Sequence, residues 1–363
     1  MRQTAESLTQ RLGKIYEQRG YRRFKMNKFE EYDTYVKNKD YLISDKVITF
    51  TDTNGKLLAM KPDVTISIIK NFDDDMSGVQ RVYYNENVYR VSGGGHDFRE
   101  IMQSGLECMG SVDTYCICEV LTLAAKSLGA VSAGYVLDIS HLGLVSALIS
   151  SCGAEGDDAR QMLRAVGEKN LPSLEAVCAR LGMSDEQKKR ICALVTVYGP
   201  ITDVVRQLDI FCVDEATRAA ADELRDICAV LSDCGVAHRV HIDFSVVNNM
   251  KYYNGIVFCG YIDGIPSDVL SGGQYDGLMA KMGKKSRAIG FAIYMNAFER
   301  LLGEDEEYDA DVLMISGDAS PLTVSQEVRA LNDTGRTVIV QRQDNGKFRC
   351  REKIILRKKE ADR

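Results

Sequence analysis

The first third of the chain alternates between helical and extended spacing of its apolar positions. Residues 4–19 read as an amphipathic helix, and extended segments with a turn at Asn54-Gly55 follow. Between Val79 and Gly110, two strand-like runs, RVYYNENVYRV and EIMQSGLECMG, flank the glycine-rich segment Ser92–Asp97. This arrangement predicts an antiparallel hairpin with a long loop at its tip.

The middle of the chain is predicted to be helical. A helix over 113–129 and a strand over 135–140 come first. From Leu142 to Cys234 the pattern is almost wholly helical, and its breaks fall near Gly153, Pro172, Gly182 and Pro200. We therefore expect a helical insertion at about 142–235.

Strand patterns return after the insertion. HRVHID at 238–243 and YYNGIVFCGYID at 252–263 are predicted strands, and a further extended segment ends at Gly272-Gly273. The apolar run that follows predicts a helix over about 290–302.

An acidic stretch separates a small C-terminal region from the rest. Residues 303–307 predict a linker, and a β-α-β unit with a helix over 321–334 and a short basic tail follows. The pattern predicts an α+β fold with a larger domain at 1–303 and a small, shortened α/β domain at 308–363.

The composition and charge of the chain disfavour some classes of function. Of 363 residues, 45% are hydrophobic, and the formal net charge is −6, which counts against a surface that binds tRNA phosphates. No apolar run of membrane length is apparent at the N-terminus, and the eleven cysteines have no framework spacing, so we expect a cytoplasmic protein with reduced thiols and no membrane contact. Cys116 and Cys118 are close in sequence but would lie on different helix faces, and we expect neither a metal site nor a cofactor.

Three regions, taken in order along the chain, resemble the signature motifs of class II histidyl-tRNA synthetases. LLAMKPDVTISI at 57–68 is similar to the L-R-P-E-G-T run, and the hairpin at 81–110 is similar to motif 2 with its following Q-x-x-x-E. The third region runs from SVVNNMKYYNGIVF through SGGQYDGLMAKMG to AIGFAIYMNAFERL, at 245–301, and resembles R-G-L-D-Y-Y, G-G-R-Y-D-G-L and motif 3. The resemblance implies an antiparallel synthetase-like sheet flanked by helices.

The resemblance also implies a pocket for L-histidine. A strand would put Gln103, Gly105 and Glu107 on one face, and an inward-facing Glu107 needs a cationic partner that a ligand ammonium would supply. Two neighbouring glycines would allow the backbone to approach the ligand closely. The implied histidine-binding residues are Asp63, Thr65, Gln103, Glu107, Tyr252, Tyr253, Gly272 and Gly273.

The cationic side chains that the family uses to form an aminoacyl-adenylate are only partly present. Arg90 matches the motif 2 arginine, and Arg99 lies on the return strand, so both are candidate phosphate contacts. Asn248 stands where R-G-L-D-Y-Y has arginine, and Asn296-Ala297 stand where motif 3 has Glu-Arg. Arg300 follows three residues late. We therefore expect no catalytic residues, because each lost electrostatic group costs about two to three orders of magnitude in rate.

A synthetase-like body with these losses and a shortened C-terminal domain resembles the regulatory subunits of ATP phosphoribosyltransferase. The resemblance implies a short-form catalytic phosphoribosyltransferase as partner, L-histidine as feedback ligand, a homodimer within a hetero-oligomer, and no tRNA. Two alternatives stay open: a divergent histidyl-tRNA synthetase that uses Arg300, and a free-standing amino-acid sensor or adenylating enzyme.

Overall fold

The computed structural model describes residues 5–38, 42, 47–74, 78–91, 97–247, 252–298 and 308–356. The chain divides into two compact units, one from Gln3 to Phe298 and one that contains Glu299–Arg363.

The strands are β1 (Arg22–Arg23), β2 (Phe29–Glu31), β3 (Thr49–Thr51), β4 (Leu57–Met60), β5 (Val79–Val91), β6 (Phe98–Gly110), β7 (Tyr135–His141), β8 (Tyr198–Pro200), β9 (Val240–Asp243), β10 (Ile256–Ile262), β11 (Leu270–Gln274), β12 (Arg287–Tyr294), β13 (Ala310–Ile315), β14 (Val338–Gln341) and β15 (Cys350–Ile355). The α-helices are α1 (Ala5–Glu17), α2 (Tyr32–Val36), α3 (Thr65–Lys70), α4 (Thr114–Val131), α5 (Leu142–Ser151), α6 (Gly156–Gly167), α7 (Leu171–Arg180), α8 (Asp185–Thr196), α9 (Ile201–Val204), α10 (Glu215–Asp233), α11 (Asp276–Lys281) and α12 (Pro321–Asp333).

A nine-stranded sheet organises the larger unit. Its strand order is β1-β5-β6-β12-β11-β10-β7-β9-β8, and all neighbours are antiparallel except β1-β5 and β7-β9. The predicted hairpin is confirmed as β5 and β6, which pair without a break from Val79↔Gly110 to Val91↔Phe98. This mostly antiparallel sheet with helices around it confirms the predicted α+β fold.

Helix α4 packs in the core of the larger unit. Asp113 caps it by accepting a hydrogen bond from the Cys116 backbone N–H at 2.9 Å. The helix is long and apolar enough to span a membrane, yet most of its side chains are buried inside the protein. It contacts α1, α10 and the sheet, which is the behaviour of a core helix.

Helices α5 to α10 follow one another between Leu142 and Asp233, interrupted by the short strand β8. Two of them begin at capping boxes, in which the N-cap side chain and the third helical residue bond each other's backbone: Ser184 with Gln187, and Asp214 with Thr217. Such caps favour the start of the helix at these two positions.

Two smaller sheets complete the described structure. In the larger unit, β2-β4-β3 forms an antiparallel sheet whose β3-β4 turn contains Gly55 at φ 78°. In the C-terminal unit, β14-β13-β15 forms a parallel sheet, with α12 between β13 and β14.

Three predictions from the pattern were wrong. The run predicted as a helix over 290–302 is strand β12 up to Tyr294, followed by a 3₁₀ turn at Met295–Phe298. A central strand is buried on both faces, so its apolar run lacks the alternation that would have identified it. His238 lies in a 3₁₀ turn before β9, and the basic tail contains the strand β15.

Candidate functional site

A cavity opens on one face of the nine-stranded sheet, above β6, β12 and β11. Its volume is about 50 Å³, and its mouth is open to solvent. Most of the residues predicted to form the site line it: Asp63, Thr65, Arg90, Gln103, Glu107, Tyr252 and Tyr253.

Strand register explains how β6 contributes two polar groups to the cavity. Gln103 pairs with Tyr294 and Glu107 pairs with Gly290, so both side chains project from the same face of the sheet. Between them lies Gly105, where an added Cβ would come within 2.5 Å of the Tyr84 hydroxyl. The absence of a side chain at Gly105 therefore makes room for Tyr84 in the cavity wall.

Glu107 is a buried carboxylate with neutral partners. It is 2% exposed, and it accepts hydrogen bonds from the Thr65 hydroxyl at 2.7 Å and the Tyr275 hydroxyl at 2.6 Å. In the described part of the chain, no cationic side chain pairs with it. Burial therefore raises the pKa of Glu107 to about 8, although the two hydroxyl donors oppose that rise.

Gly290 allows Glu107 to lie flat against the sheet. A Cβ at this position would come within 1.7 Å of Glu107 Oε2 and 2.5 Å of the Leu106 carbonyl oxygen. Only glycine leaves that space. The carboxylate is thus held between Gly290 below it and the Thr65 and Tyr275 hydroxyls at its sides.

Asp63 and Arg90 form the charged pair of the cavity. The Asp63 carboxylate accepts the Ile66 backbone N–H at 3.0 Å and lies 3.6 Å from an Arg90 nitrogen. Arg90 Nε also donates to the Pro62 carbonyl at 2.7 Å, and both charged side chains are at least nine-tenths buried. Burial raises the pKa of Asp63, and Arg90 partly offsets that effect.

Gln103 offers a polar side chain that no described residue of the protein binds. Its side chain is 3% exposed and lines the cavity, and within the described residues no side-chain hydrogen bond to it is formed. A buried amide normally finds a hydrogen-bond partner. A ligand in the cavity would provide one.

Two predicted residues and a third candidate lie outside the cavity lining. A Cβ on Gly272 would come within 2.4 Å of the Gly290 carbonyl oxygen, and one on Gly273 within 2.7 Å of the Tyr253 ring. These glycines therefore accommodate strand packing and the Tyr253 ring, and their approach to a ligand stays a prediction. Arg99 pairs with Arg90 in the hairpin but is exposed and does not line the cavity.

The sequence interpretation missed several lining residues, namely Tyr84, Ser271, Tyr275, Gly290 and Tyr294. Tyr84 could have been found, because antiparallel register places it opposite Gly105 between two predicted site residues. Tyr275 stands inside the quoted segment SGGQYDGL, yet nothing in that pattern indicates its hydrogen bond to a strand 168 residues away.

Few charged side chains of the described residues lie where we expected the adenylation chemistry of a synthetase. Asn296 is exposed, and its side-chain oxygen accepts the Met102 backbone N–H at 2.8 Å. Of the described residues that line the cavity, Arg90 is the only cation. Asn248, the glycines of the hairpin tip and Arg300 lie outside the described residues. Among those described, no group of three or more His, Cys, Asp or Glu side chains could hold a metal ion.

Comparison with known proteins places these features in a family. The sequence profile for histidyl-tRNA synthetase matches residues 2–298. An ATP phosphoribosyltransferase regulatory subunit from Acetivibrio thermocellus is 26% identical over 345 residues, which span 92% of this chain and 82% of that protein.

Solved structures share the fold. The crystal structure of an ATP phosphoribosyltransferase regulatory subunit/histidyl-tRNA synthetase from Bacillus halodurans aligns with a TM-score of 0.81 at 23% identity, covering 97% of this chain and 93% of that one. A chain of the ATP phosphoribosyl transferase (HisG:HisZ) complex from Thermotoga maritima aligns with a TM-score of 0.63 at 19% identity, covering 81% of this chain and 98% of that one.

Proposed function

The chain belongs to the histidyl-tRNA synthetase family, and from that premise we propose that it is a non-catalytic regulatory subunit of ATP phosphoribosyltransferase. In this role it binds L-histidine in the cavity and conveys feedback to the first step of histidine biosynthesis. The name of the Acetivibrio thermocellus relative and the Thermotoga maritima complex support the partnership. The partner is a short-form catalytic phosphoribosyltransferase, and this chain is a homodimer within the hetero-oligomer.

The observation that carries the proposal is the buried Glu107 carboxylate, which is bonded to two hydroxyls and to no cation of the described chain. A buried carboxylate is stabilised by a charged partner, and the α-ammonium of an amino acid supplies one. Asp63 lines the same cavity and adds a second negative charge near that ammonium.

The other polar groups of the cavity are complementary to the α-carboxylate and the imidazole of L-histidine. The guanidinium of Arg90 is available for the α-carboxylate, because arginine has five donors and Arg90 Nε uses one of them on Pro62. The Gln103 amide and the tyrosine hydroxyls around the cavity provide donors and acceptors for an imidazole. The cavity thus offers complementary charges to the α-ammonium and α-carboxylate of L-histidine and polar groups to its side chain.

The small number of cations in the described cavity lining supports a regulatory role. Phosphate transition states need several positioned cations, and the described lining contributes only Arg90. A net charge of −6 also disfavours tRNA binding. A protein that binds L-histidine without converting it has a regulatory function only when the bound ligand alters another site.

The test mixes this chain with a purified short-form ATP phosphoribosyltransferase and follows phosphoribosyl-ATP formation as L-histidine is raised. We expect association, higher activity in the complex, and inhibition that depends on this subunit. Coupling of this kind is typically about 1–3 kcal/mol and reciprocal, so the partner should also change histidine affinity. Two chains that do not associate, or inhibition indifferent to this subunit, would contradict the proposal.

A matched pair of variants tests the site itself. Glu107→Gln removes the charge from the cavity, whereas Glu100→Gln makes the same change on β6 at an exposed residue bonded to Asn87 and Tyr89. We expect only Glu107→Gln to abolish inhibition. Inhibition that survives Glu107→Gln would leave the partnership standing and place the sensing site elsewhere. Histidine-dependent pyrophosphate exchange at a synthetase rate would favour a divergent synthetase.

A further inference from the structure

The residues of β12 that face the cavity change in size and in exposure along the strand. Side chains alternate along a strand, so Gly290, Ala292 and Tyr294 lie on the same face of the sheet. All three line the cavity. Gly290 is buried, whereas Ala292 and Tyr294 are partly exposed. The large side chain of this row is therefore the one that lies nearest to solvent, and the two small residues lie deeper in the cavity.

A hydrogen bond fixes the direction of the Tyr294 ring. Its hydroxyl lies 2.6 Å from the Ser271 hydroxyl on β11, and the two groups share a hydrogen bond. Ser271 pairs with Ala292, which precedes Tyr294 on the same face of β12. A strand rises about 3.3 Å per residue, so the ring extends back along β12 by roughly two residues and lies over Ala292. The ring thus forms one wall of the cavity.

Strand register places this wall beside the group that we assign to the α-carboxylate. Glu107 and Gln103 both face the cavity from β6, and Tyr294 pairs with Gln103. Arg90 lies further towards the tip of the hairpin, on the strand that pairs with β6. A ligand with its ammonium at Glu107 and its carboxylate at Arg90 therefore extends from the buried floor of the cavity towards the Tyr294 ring.

We propose that Tyr294 is a specificity-determining residue that restricts the cavity to amino acids with a free α-carboxylate, and that Ser271 is its positioning residue. This proposal rests on the proposed function and names the class of ligand that the histidine site accepts. A free carboxylate ends beside the ring. A group joined to that carbon through an amide or a phosphate ester continues into the space that the ring occupies. The same ring therefore disfavours an aminoacyl-adenylate.

Titration calorimetry with a matched pair of ligands tests this wall. L-Histidinamide and L-histidine β-naphthylamide both lack the carboxylate charge, and they differ in the bulk attached at that carbon. We expect the wild type to bind the naphthylamide about tenfold or more weakly than the amide, because overpacking carries a penalty of that order. In Tyr294→Ala we expect the two affinities to become similar, because the ring no longer overlaps the naphthyl group.

Two further variants control for general effects of the substitution. Tyr115→Ala makes the same change at an exposed tyrosine of α4 that does not line the cavity, and we expect it to keep the wild-type preference. Tyr294→Thr keeps a β-branched residue on the strand and gives a second small side chain if Tyr294→Ala does not fold. Circular dichroism establishes that each variant is folded.

The hydrogen bond is tested separately from the ring. Tyr294→Phe and Ser271→Ala each remove one hydroxyl of the pair and leave an aromatic ring at position 294. We expect both to show the same partial loss of preference, smaller than in Tyr294→Ala, because the ring still fills the space but has lost its anchor. The double variant should lose no more than either single variant, since both changes break the same bond. An unchanged ligand preference in both single variants contradicts the role of Ser271.

Failure of the wall and failure of the proposed function give different results. Equal binding of the two amides by the wild type, or continued rejection of the naphthylamide by a folded Tyr294→Ala, overturns the wall. Absence of L-histidine binding by the wild type overturns the proposed function. In that case the wall stands only if Tyr294→Ala gains binding of the naphthylamide. If neither protein binds any of the three ligands, both proposals are refuted.

Discussion

Two regions of the larger unit, the cavity at Glu107 and the exposed turn at Asn296, differ in how their polar groups are satisfied. In the cavity, Glu107 accepts hydrogen bonds from two hydroxyls and lies against a glycine. At the turn, the exposed Asn296 uses its side-chain oxygen to accept the Met102 backbone N–H. A buried charge costs folding free energy, whereas an exposed amide costs little. Position 296 therefore places little demand on the fold, whereas the buried Glu107 carries a cost that the proposed cationic ligand would offset.

The largest effect is expected in the pH dependence of stability without ligand. The pKa of Glu107 is 4.5 in its ordinary state and about 8 in the fold, so the folded state holds the proton longer. Its stabilising contribution is complete below about pH 4.5 and is lost as pH rises through about 8, a change on the order of 5 kcal/mol. Glu107→Gln should thus melt higher than wild type at pH 9 and nearly equal to it at pH 5. Calorimetric melting checks this, with Glu100→Gln as the control that shows no such difference.

Next in size is the loss of ligand affinity in Glu107→Ala. We expect histidine binding to weaken by about 2 kcal/mol or more, because a charged hydrogen bond to the ammonium is removed. Titration calorimetry measures this directly. For the wild type at pH 7, binding should also release a proton from Glu107, so the apparent enthalpy should vary with the ionisation enthalpy of the buffer. Binding without proton release would place the ammonium elsewhere.

A smaller loss of stability is expected for Gly290→Ala. The added Cβ would overlap Glu107 Oε2 and the Leu106 carbonyl oxygen, and overpacking of this kind costs roughly 1–3 kcal/mol. The displaced carboxylate should also lower histidine affinity. Gly13→Ala on α1 is the control, since its Cβ would lie 3.4 Å from Tyr83, an ordinary contact. Denaturant unfolding of both variants tests the difference.

The smallest effect is expected at the exposed turn. Asn296→Ala removes the acceptor of the Met102 N–H at an exposed position, and we expect a stability loss of about 0.5–1 kcal/mol with histidine affinity nearly unchanged. Pyrophosphate exchange should stay at background in wild type and variant alike. A rise in exchange for Asn296→Arg would show that adenylation needs only one restored cation, and the contrast between the two regions would fail.

The sequence was sufficient for those parts of the site that depend on alternation along one strand. Gln103 and Glu107 were placed on one face by their spacing alone, and the β5-β6 hairpin follows from two strand patterns with a glycine-rich segment between them. The motif resemblance then supplied Asp63 and Tyr253, which come from distant segments.

The missed features depend on contacts that no local pattern encodes. Tyr275 reaches Glu107 from another element, and Gly290 is required only because Glu107 packs against it from the neighbouring strand. β12 was mistaken for a helix because burial on both faces removes the polar positions that reveal a strand.

The register of β6 has a consequence for local opening of the protein. Its inner part, from Gln103 to Gly110, pairs with β12 on one side and β5 on the other, whereas among the described strands Phe98 to Met102 pairs only with β5. Amide hydrogens in a strand bonded on both sides exchange with solvent only through large unfolding events, while those near a free edge exchange through fraying. Gln103 lies at the boundary between these two parts of β6. We therefore expect slow amide exchange on the floor of the cavity at Glu107 and faster exchange in the part of the hairpin that starts next to Gln103.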